Sequence, residues 1–355
     1  MTIIGILGCT MLIVLGFGLR DTVGGLMSDQ YDTVTVYDAI VVTDNLKSEE
    51  MNAVVKEWSA DKKVDSALEL QISNMTLQSK KEHTEITVMV IPDEADLNHF
   101  VHLQNAKTGE NMVLPSDGIV VTKSAAKQLS INGKDTISLL NEDNIQHDLS
   151  VAFVNTNYAG NYIYVSETYY QSIFNNYQAN AFLLNLKDDV KGQTWLEDLK
   201  GDDRIVSVNS SKGARDSYDA VNIDMVIYLL IGMSAVLAFA VLFTLSNINI
   251  SERDRELATI KVLGFKPKEV CSYVNKETVI LSLIGILLGL PAGYGMTYGI
   301  LANLSIADIS FQVRVSLQAY LIAAVLTLLF TLLVNKVTNK ELRKINMVEA
   351  LKSVE

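Results

Sequence analysis

Asp96, His99 and His102 stand at i, i+3 and i+6, so a helix would turn one carboxylate and two imidazoles toward the same side. Such groups can ligate a divalent metal, but zinc patterns require more ligands at defined spacing, and none accompanies these. They read as solvated surface residues. His83 and His147 lie in polar stretches with no acid or nucleophile placed beside them. The sequence contains no Gly-x-Ser-x-Gly elbow, no His-Glu-x-x-His and no Cys-x-x-Cys. The phosphate-cradling Gly-x-x-x-x-Gly-Lys-Ser/Thr loop is also missing, so the chain brings no ATP site of that type. No catalytic, cofactor-binding or metal-ligating residue is therefore assigned.

Two other patterns carry more. Residues 251–265 read Ser-Glu-Arg-Asp-Arg-Glu-Leu-Ala-Thr-Ile-Lys-Val-Leu-Gly-Phe. Ser251 can cap a helix, with Glu252 and Asp254 set against the positive end of its dipole. Leu257, Ile260 and Leu263 fall on one apolar stripe, Gly264 is a natural stop, and Pro267 can open the next helix. A short amphipathic helix held between apolar segments is expected; as a bare connector the same charges would serve only topology. In the second pattern Gly285, Gly289 and Gly293 recur every four residues and line one helix face, which permits close approach of a neighbouring backbone. Pro291 beside them can kink that helix.

The elements that hold these patterns are apolar. Ile3–Leu19 has no charge in 17 residues, Met225–Phe243 is 19 residues of apolar and small side chains, and Val279–Ile300 and Ser316–Asn335 complete the set. Membrane helices need roughly 20 such residues. A cleaved signal peptide at the N-terminus would need a basic start and a small-residue cleavage site, but nothing basic precedes Ile3 and Gly16-Phe17-Gly18-Leu19-Arg20 is a poor cleavage site. Fourfold recurrence argues against buried helices of a soluble core. The mean hydropathy of +0.22 agrees.

Charge divides the 355 residues sharply. Residues 21–220 hold 31 Asp+Glu against 16 Lys+Arg, and the remainder holds 10 against 13, within a net charge of −12. Nothing here resembles the basic footprint that nucleic acid requires, so no nucleic-acid partner is expected. The connection Ser251–Lys276 carries six Lys+Arg and the tail Lys336–Lys352 five, whereas Leu301–Val315 carries only Arg314. The positive-inside rule then puts both termini in the cytoplasm and residues 22–222 outside a cell (plasma) membrane crossed four times. Arg20 argues weakly the other way. Cys9 and Cys271 both fall outside the exported region, which excludes a disulfide framework there.

The exported region alternates strand-like runs (33–43, 85–91, 118–122, 150–154, 162–166 and 181–186) with helical ones (48–59, 124–129, 167–175 and 193–199). Polar breaks at Asn155-Thr156-Asn157 and at Asn209–Gly213 punctuate it. The fold expected is an α-helical membrane protein with four transmembrane helices and a large α+β extracytoplasmic domain inserted between helices 1 and 2. Its boundaries are 1–21, helix 1; 22–222, the domain; 223–250, helix 2; and 251–277, a cytoplasmic loop. Helix 3 follows at 278–300, a short outer loop at 301–315, helix 4 at 316–335 and a cytoplasmic tail at 336–355.

The run from Ser251 to Phe265 resembles the cytoplasmic loop of FtsX-like ABC-transporter permeases, the superfamily of the MacB and LolCDE exporters. The likeness extends from about residue 225 to the closing Met347-Val348-Glu349-Ala350-Leu351-Lys352. The first span, ending Gly-Phe-Gly-Leu-Arg-Asp at Asp21, resembles the fifth span of large ten-span Gram-positive members. Asp117–Thr122 through Thr136-Ile137 resembles part of their outer domain, with Asn132-Gly133-Lys134 in place of the usual Val-Gly-Asp.

That resemblance implies a permease subunit that hydrolyses no ATP itself; ATP is bound by a partner, a cytoplasmic ATP-binding-cassette ATPase. Glu252, Arg253, Arg255, Glu256, Lys261 and Gly264 match the family's docking loop, and Leu257 leads its apolar stripe. It further implies mechanotransmission, in which ATPase closure moves the outer domain to export or extract peptide, lipoprotein or antimicrobial-type substrates. The same architecture could instead sense or regulate an extracellular partner, such as a wall hydrolase or a sensor kinase. A membrane-bound enzyme acting in the outer domain lacks any site. The chain is expected to be the C-terminal half of a ten-span protein, or to work beside a second permease half or a homodimer partner, with membrane lipid around it.

Overall fold

The computed structural model describes residues 2–44, 48–60, 63–79, 82–133, 135–140, 145–187, 189–220, 223–252, 256, 259, 260, 262–304 and 308–344. The chain divides into two compact units. One comprises Gly25–Val221 with Ser305–Gln312, and the other Met1–Gly24, Asn222–Leu304 and Val313–Glu355.

The first unit is α+β. In chain order it contains α2 (Leu26–Thr33), which follows α1 (Thr2–Gly24) of the other unit, then β1 (Ala39–Thr43), α3 (Ser48–Ala60), β2 (Val64–Ser79) and β3 (Glu82–Ile91). These are followed by β4 (Ile119–Thr122), α4 (Lys123–Gln128), β5 (Thr136–Leu140), β6 (Gln146–Asn155), β7 (Tyr162–Ser166) and α5 (Glu167–Phe174). The last elements are β8 (Ala181–Leu186), α6 (Asp189–Leu199), β9 (Ile205–Ser210) and α7 (Ser211–Ala220).

The strand order is β3-β7-β4-β6-β5-β2-β8-β1-β9, and β2 also pairs with β3. Six strands therefore close on themselves, and β2 leaves that ring to begin a second sheet. Its residues 71–79 pair with β3 and its residues 64–70 with β8. At the changeover Asn180 brackets Ile72, accepting from its N–H at 2.7 Å and donating to its carbonyl at 2.9 Å. The apolar alternation of β2 changes phase there. Leu68 and Leu70 face a core with Phe100, Phe153 and Tyr164, whereas Met75 and Leu77 face another with Val88, Val121 and Leu149. A third core, under β1 and β8, sets Trp58 edge-on to Phe182 and Trp195 at ring separations of 5.1 and 5.7 Å.

Two expectations need correction. Residues 33–43 do not form one strand: α2 runs to Thr33, and the N–H groups of Val34 and Thr35 close back on the Gln30 carbonyl. The chain then pairs loosely with residues 100–102, and β1 begins only at Ala39. The polar run 209–213 is not a break but the junction of β9 and α7, where Ser210 Oγ accepts from the Gly213 N–H at 2.9 Å. β2, β5, β9 and α7 were not among the expected elements. α5 (Glu167–Phe174), in contrast, falls on the expected run 167–175; Ser166 Oγ caps its start and Asn175 ends it in the left-handed region at φ 56°.

The second unit contains α1, α8 (Ile223–Glu252), α9 (Pro267–Asn303) and α10 (Leu317–Lys344). Among the described residues, four helices are long and apolar enough to cross a membrane. With the α+β unit between the first two of them, the inserted-domain arrangement fits. Lys266 precedes α9, its N–H bonded to Glu269 Oε2 at 2.8 Å, and Pro267 takes the first helical position. Ser251 does not cap a new helix; it continues α8, because nothing between Asn247 and Glu252 breaks the helix.

Candidate functional site

α1 is the centre of the helical unit. A Cβ added at Gly285, Gly289 or Gly293 of α9 would lie 3.2, 2.9 and 3.2 Å from the carbonyl oxygens of Ile3, Leu7 and Met11, respectively. The side chains of Ile6, Thr10 and Val14 close the same three positions. Both sets advance by four residues, so α1 and α9 run the same way with their backbones in close approach. Gly5 and Gly16 of α1 meet Leu245 and Ile231 of α8, which therefore runs the opposite way. α10 does so too, since Thr10 bonds Thr327 at 3.3 Å and Thr22 Oγ1 bonds the Arg314 carbonyl at 3.1 Å. Arg20 lies over the Tyr228 ring at 5.5 Å.

The loop between α8 and α9 carries the residues singled out for docking. Glu252 is exposed at the end of α8, and Glu256 is helical and exposed. Gly264 ends the loop helix at φ +98°, a conformation that suits glycine. Arg253, Arg255, Leu257 and Lys261 lie outside the described residues. The apolar stripe divides: Ile260 turns inward against Val270 and Cys271, whereas Leu263 is 73% exposed. Val262 and Phe265 are also exposed, giving an outward apolar patch that the helical spacing did not reveal.

A third feature is the return loop between α9 and α10, whose residues 308–312 are part of the α+β unit. Ala159 and Ile309 form a β-bridge, the Ser310 N–H bonds the Tyr158 carbonyl at 2.9 Å, and Tyr158 Oη donates to Gln312 Oε1 at 2.7 Å. Asn161 Nδ2 donates to Asp308 Oδ1, and the Gly160 N–H to the Asp308 carbonyl. Gln30 of α2 fixes the same segment. Its Oε1 accepts from Tyr158 and Ala159 N–H at 2.8 and 3.0 Å, and its Nε2 donates to Asn157 Oδ1 at 2.9 Å. Leu26, Val34 and Tyr158 are buried around Ile309 and Phe311. None of these residues was singled out in the sequence; the only local signal was the polar run at 155–157.

Electrostatics adds two observations. Burial, with the nearby charges of Tyr31 and Asp308, pushes the Tyr162 phenol up to about 12. At the far side of the unit, hydrogen bonds from the Arg204 side chain and backbone hold Asp202 down to about 2. Of the histidines, His99 pairs with Asp96 at 3.4 Å, and His102 Nδ1 lies 3.1 Å from the Thr33 carbonyl. Among the described residues no group of three or more His, Cys, Asp or Glu could hold a metal ion.

Residues 228–347, spanning most of α8, the loop, α9 and α10, match the family model for the FtsX-like permease C-terminal region. A search among curated proteins returns no match. Among solved structures, the periplasmic region of MacB from Actinobacillus actinomycetemcomitans is similar at 11% identity, covering 54% of this chain and 97% of that one, with a TM-score of 0.33. The extracellular domain of the noncanonic ABC-type transporter YknZ from Gram-positive bacteria is similar at 11% identity, covering 44% and 87%, with a TM-score of 0.30. At these scores the two add no weight to the family match.

Proposed function

From the match of residues 228–347 to the FtsX-like permease C-terminal family model, we propose that this chain is the membrane subunit of an ABC transporter. It works with a separate cytoplasmic ATP-binding-cassette ATPase and performs no catalysis itself. The family match is the observation that carries the reading. Loop charge supports an orientation: the six Lys+Arg of Ser251–Lys276 and the five of the tail favour a cytoplasmic side for both termini. Residues 22–222 then lie outside.

The mechanism follows from how force can pass along the chain. The ATPase docks on the loop before α9, where Val262, Leu263 and Phe265 offer apolar contact and Glu252 and Glu256 offer charge for register. The helix beyond the loop is continuous for 37 residues and is locked to α1 by the glycine stripe. The chain passes from the helical unit into the α+β unit at 24/25 and 304/305, directly after those two helices. A displacement of the loop is thus delivered to the outer domain at two points, α2 and the return loop, which Gln30 ties together. The domain's movement, rather than a pore through the helices, does the work on an extracytoplasmic substrate or partner.

The test is affinity purification of the full chain from its native membranes. A cytoplasmic ABC ATPase should co-purify with the wild type. Leu263→Asp and Glu256→Lys should each lose it while the chain still inserts. Retention of the ATPase by both variants would overturn the docking assignment. Orientation is tested separately: a Ser210→Cys variant should react with an impermeant thiol reagent in intact cells, and a Lys268→Cys variant should not.

A further inference from the structure

An open groove of about 580 Å³ runs between α9 and α10 just beyond the loop. Its volume falls within the roughly 300–1,000 Å³ typical of small-molecule sites. Along α9 its lining changes character in order. Lys268, Ser272 and Lys276, one helical turn apart, come first, and Val279 and Ile280 follow. The stretch from Lys268 to Ile280 spans ~18 Å at the helical rise. Asn339 of α10 forms part of the opposite wall. Its side-chain oxygen is buried and accepts no hydrogen bond among the described residues. A buried amide oxygen without a donor costs free energy unless a ligand or water supplies one.

From this arrangement we infer that the groove binds an anionic phospholipid whose headgroup carries a hydroxyl, of which phosphatidylglycerol is the simplest. The two lysines meet the phosphate, as basic recesses between membrane helices do for acidic headgroups. Asn339 Oδ1 accepts from the headgroup hydroxyl, the donor that it otherwise lacks. Val279 and Ile280 receive the start of an acyl chain, which places the charged end toward the membrane surface and the apolar end toward its interior. The nearby carboxylate of Glu269 is turned away, bonded to the Lys266 N–H, so it does not cancel the lysines. The site requires only that α9 and α10 are membrane spans and is independent of the ATPase, so the two proposals fail separately. A lipid held here would bridge the ends of α9 and α10 next to the docking loop, making the loop's position sensitive to membrane composition.

The experiment is native mass spectrometry of the full chain in nonionic detergent, with equimolar phosphatidylglycerol, phosphatidic acid and phosphatidylcholine. Phosphatidylglycerol should be retained in preference to both competitors. A Lys268→Gln, Lys276→Gln double variant should weaken its retention by roughly tenfold or more. Lys266→Gln, outside the groove, should leave it unchanged. Asn339→Leu should equalise phosphatidylglycerol and phosphatidic acid while both still exceed phosphatidylcholine. Equal retention of phosphatidylcholine by the wild type would overturn the proposal. So would an equal loss in Lys266→Gln, which would mean general surface attraction. Displacement of the lipid by excess glycerol phosphate would point to a soluble phosphate ligand and overturn it as well.

Discussion

In the helical unit the buried hydroxyls of Thr10, Thr297 and Thr327 each donate to the carbonyl four residues earlier, at 2.9 Å. In the α+β unit Gln30 reaches Asn157 across 127 residues of sequence, and Asn161 reaches Asp308 across 147. The helical unit satisfies these hydroxyls mainly within their own helices, as suits a segment surrounded by hydrocarbon, with Thr10–Thr327 and Thr22–Arg314 added between helices. Its helices then meet through small residues and carbonyl edges. The α+β unit packs around separate apolar cores, and its long-range hydrogen bonds fix loops. The return loop belongs to the second pattern although the helices on either side belong to the first.

The largest effect that would break this contrast is steric. Gly289→Leu drives a side chain into Thr10 and the Leu7 carbonyl, and overpacking of this kind costs about 1–3 kcal/mol or more. A Cβ added at Gly295 on the same helix meets nothing within 4 Å, so Gly295→Leu is the matching control. Thermal unfolding of the detergent-solubilised chain should drop clearly for the first and stay near wild type for the second. Equal behaviour of the two would make the stripe incidental.

In the α+β unit the corresponding change is Gln30→Leu. It strips the Tyr158 and Ala159 N–H groups of their acceptor, at about 1–3 kcal/mol for each buried group left unpaired. Hydrogen exchange should rise at 156–160 and 308–312 and stay unchanged in β7, whose ladder does not involve Gln30. Uniform loss of protection across the unit would mean that Gln30 supports the whole fold rather than the return loop.

What could be read from the sequence followed from how local the physics is. The glycine stripe was legible because its spacing lies within one helix, although its partner, α1, was not. β7 and β8 were legible because each is a short, nearly continuous run of apolar β-formers, buried along most of its length. β2 was not, because its apolar residues change from even to odd positions around Asn74 as the strand passes from one core to another. Thr33–Val36 alternates like a strand but is taken up by the end of α2 and its closure on Gln30. The return loop gave no signal, since Asp308 carries no motif and its partners lie far away in sequence.

Smaller effects should follow pH. Tyr162, with its phenol raised to about 12, contributes stability that is present below the ordinary tyrosine value of 10.0 and is lost as pH rises through 12. Buried Tyr37 and Tyr164 shift in the same direction. Denaturant midpoints should therefore fall across pH 10–12, and Tyr162→Phe should flatten part of that fall. Asp202 works in the opposite sense: its contribution is present above the ordinary 3.8 and is lost as pH falls through about 2. Arg204→Met should shift the start of acid unfolding upward only slightly, because the pair is exposed to solvent.

The proposed coupling is that ATP hydrolysis by the partner, acting at the cytoplasmic loop, moves the return loop. It is tested most directly by amide hydrogen exchange at residues 308–312 in the purified complex of the chain with its ATPase, with and without ATP. Exchange there should change on ATP addition in the wild type and should not change in Glu256→Lys. Unchanged exchange in a wild-type complex that is hydrolysing ATP would contradict the account.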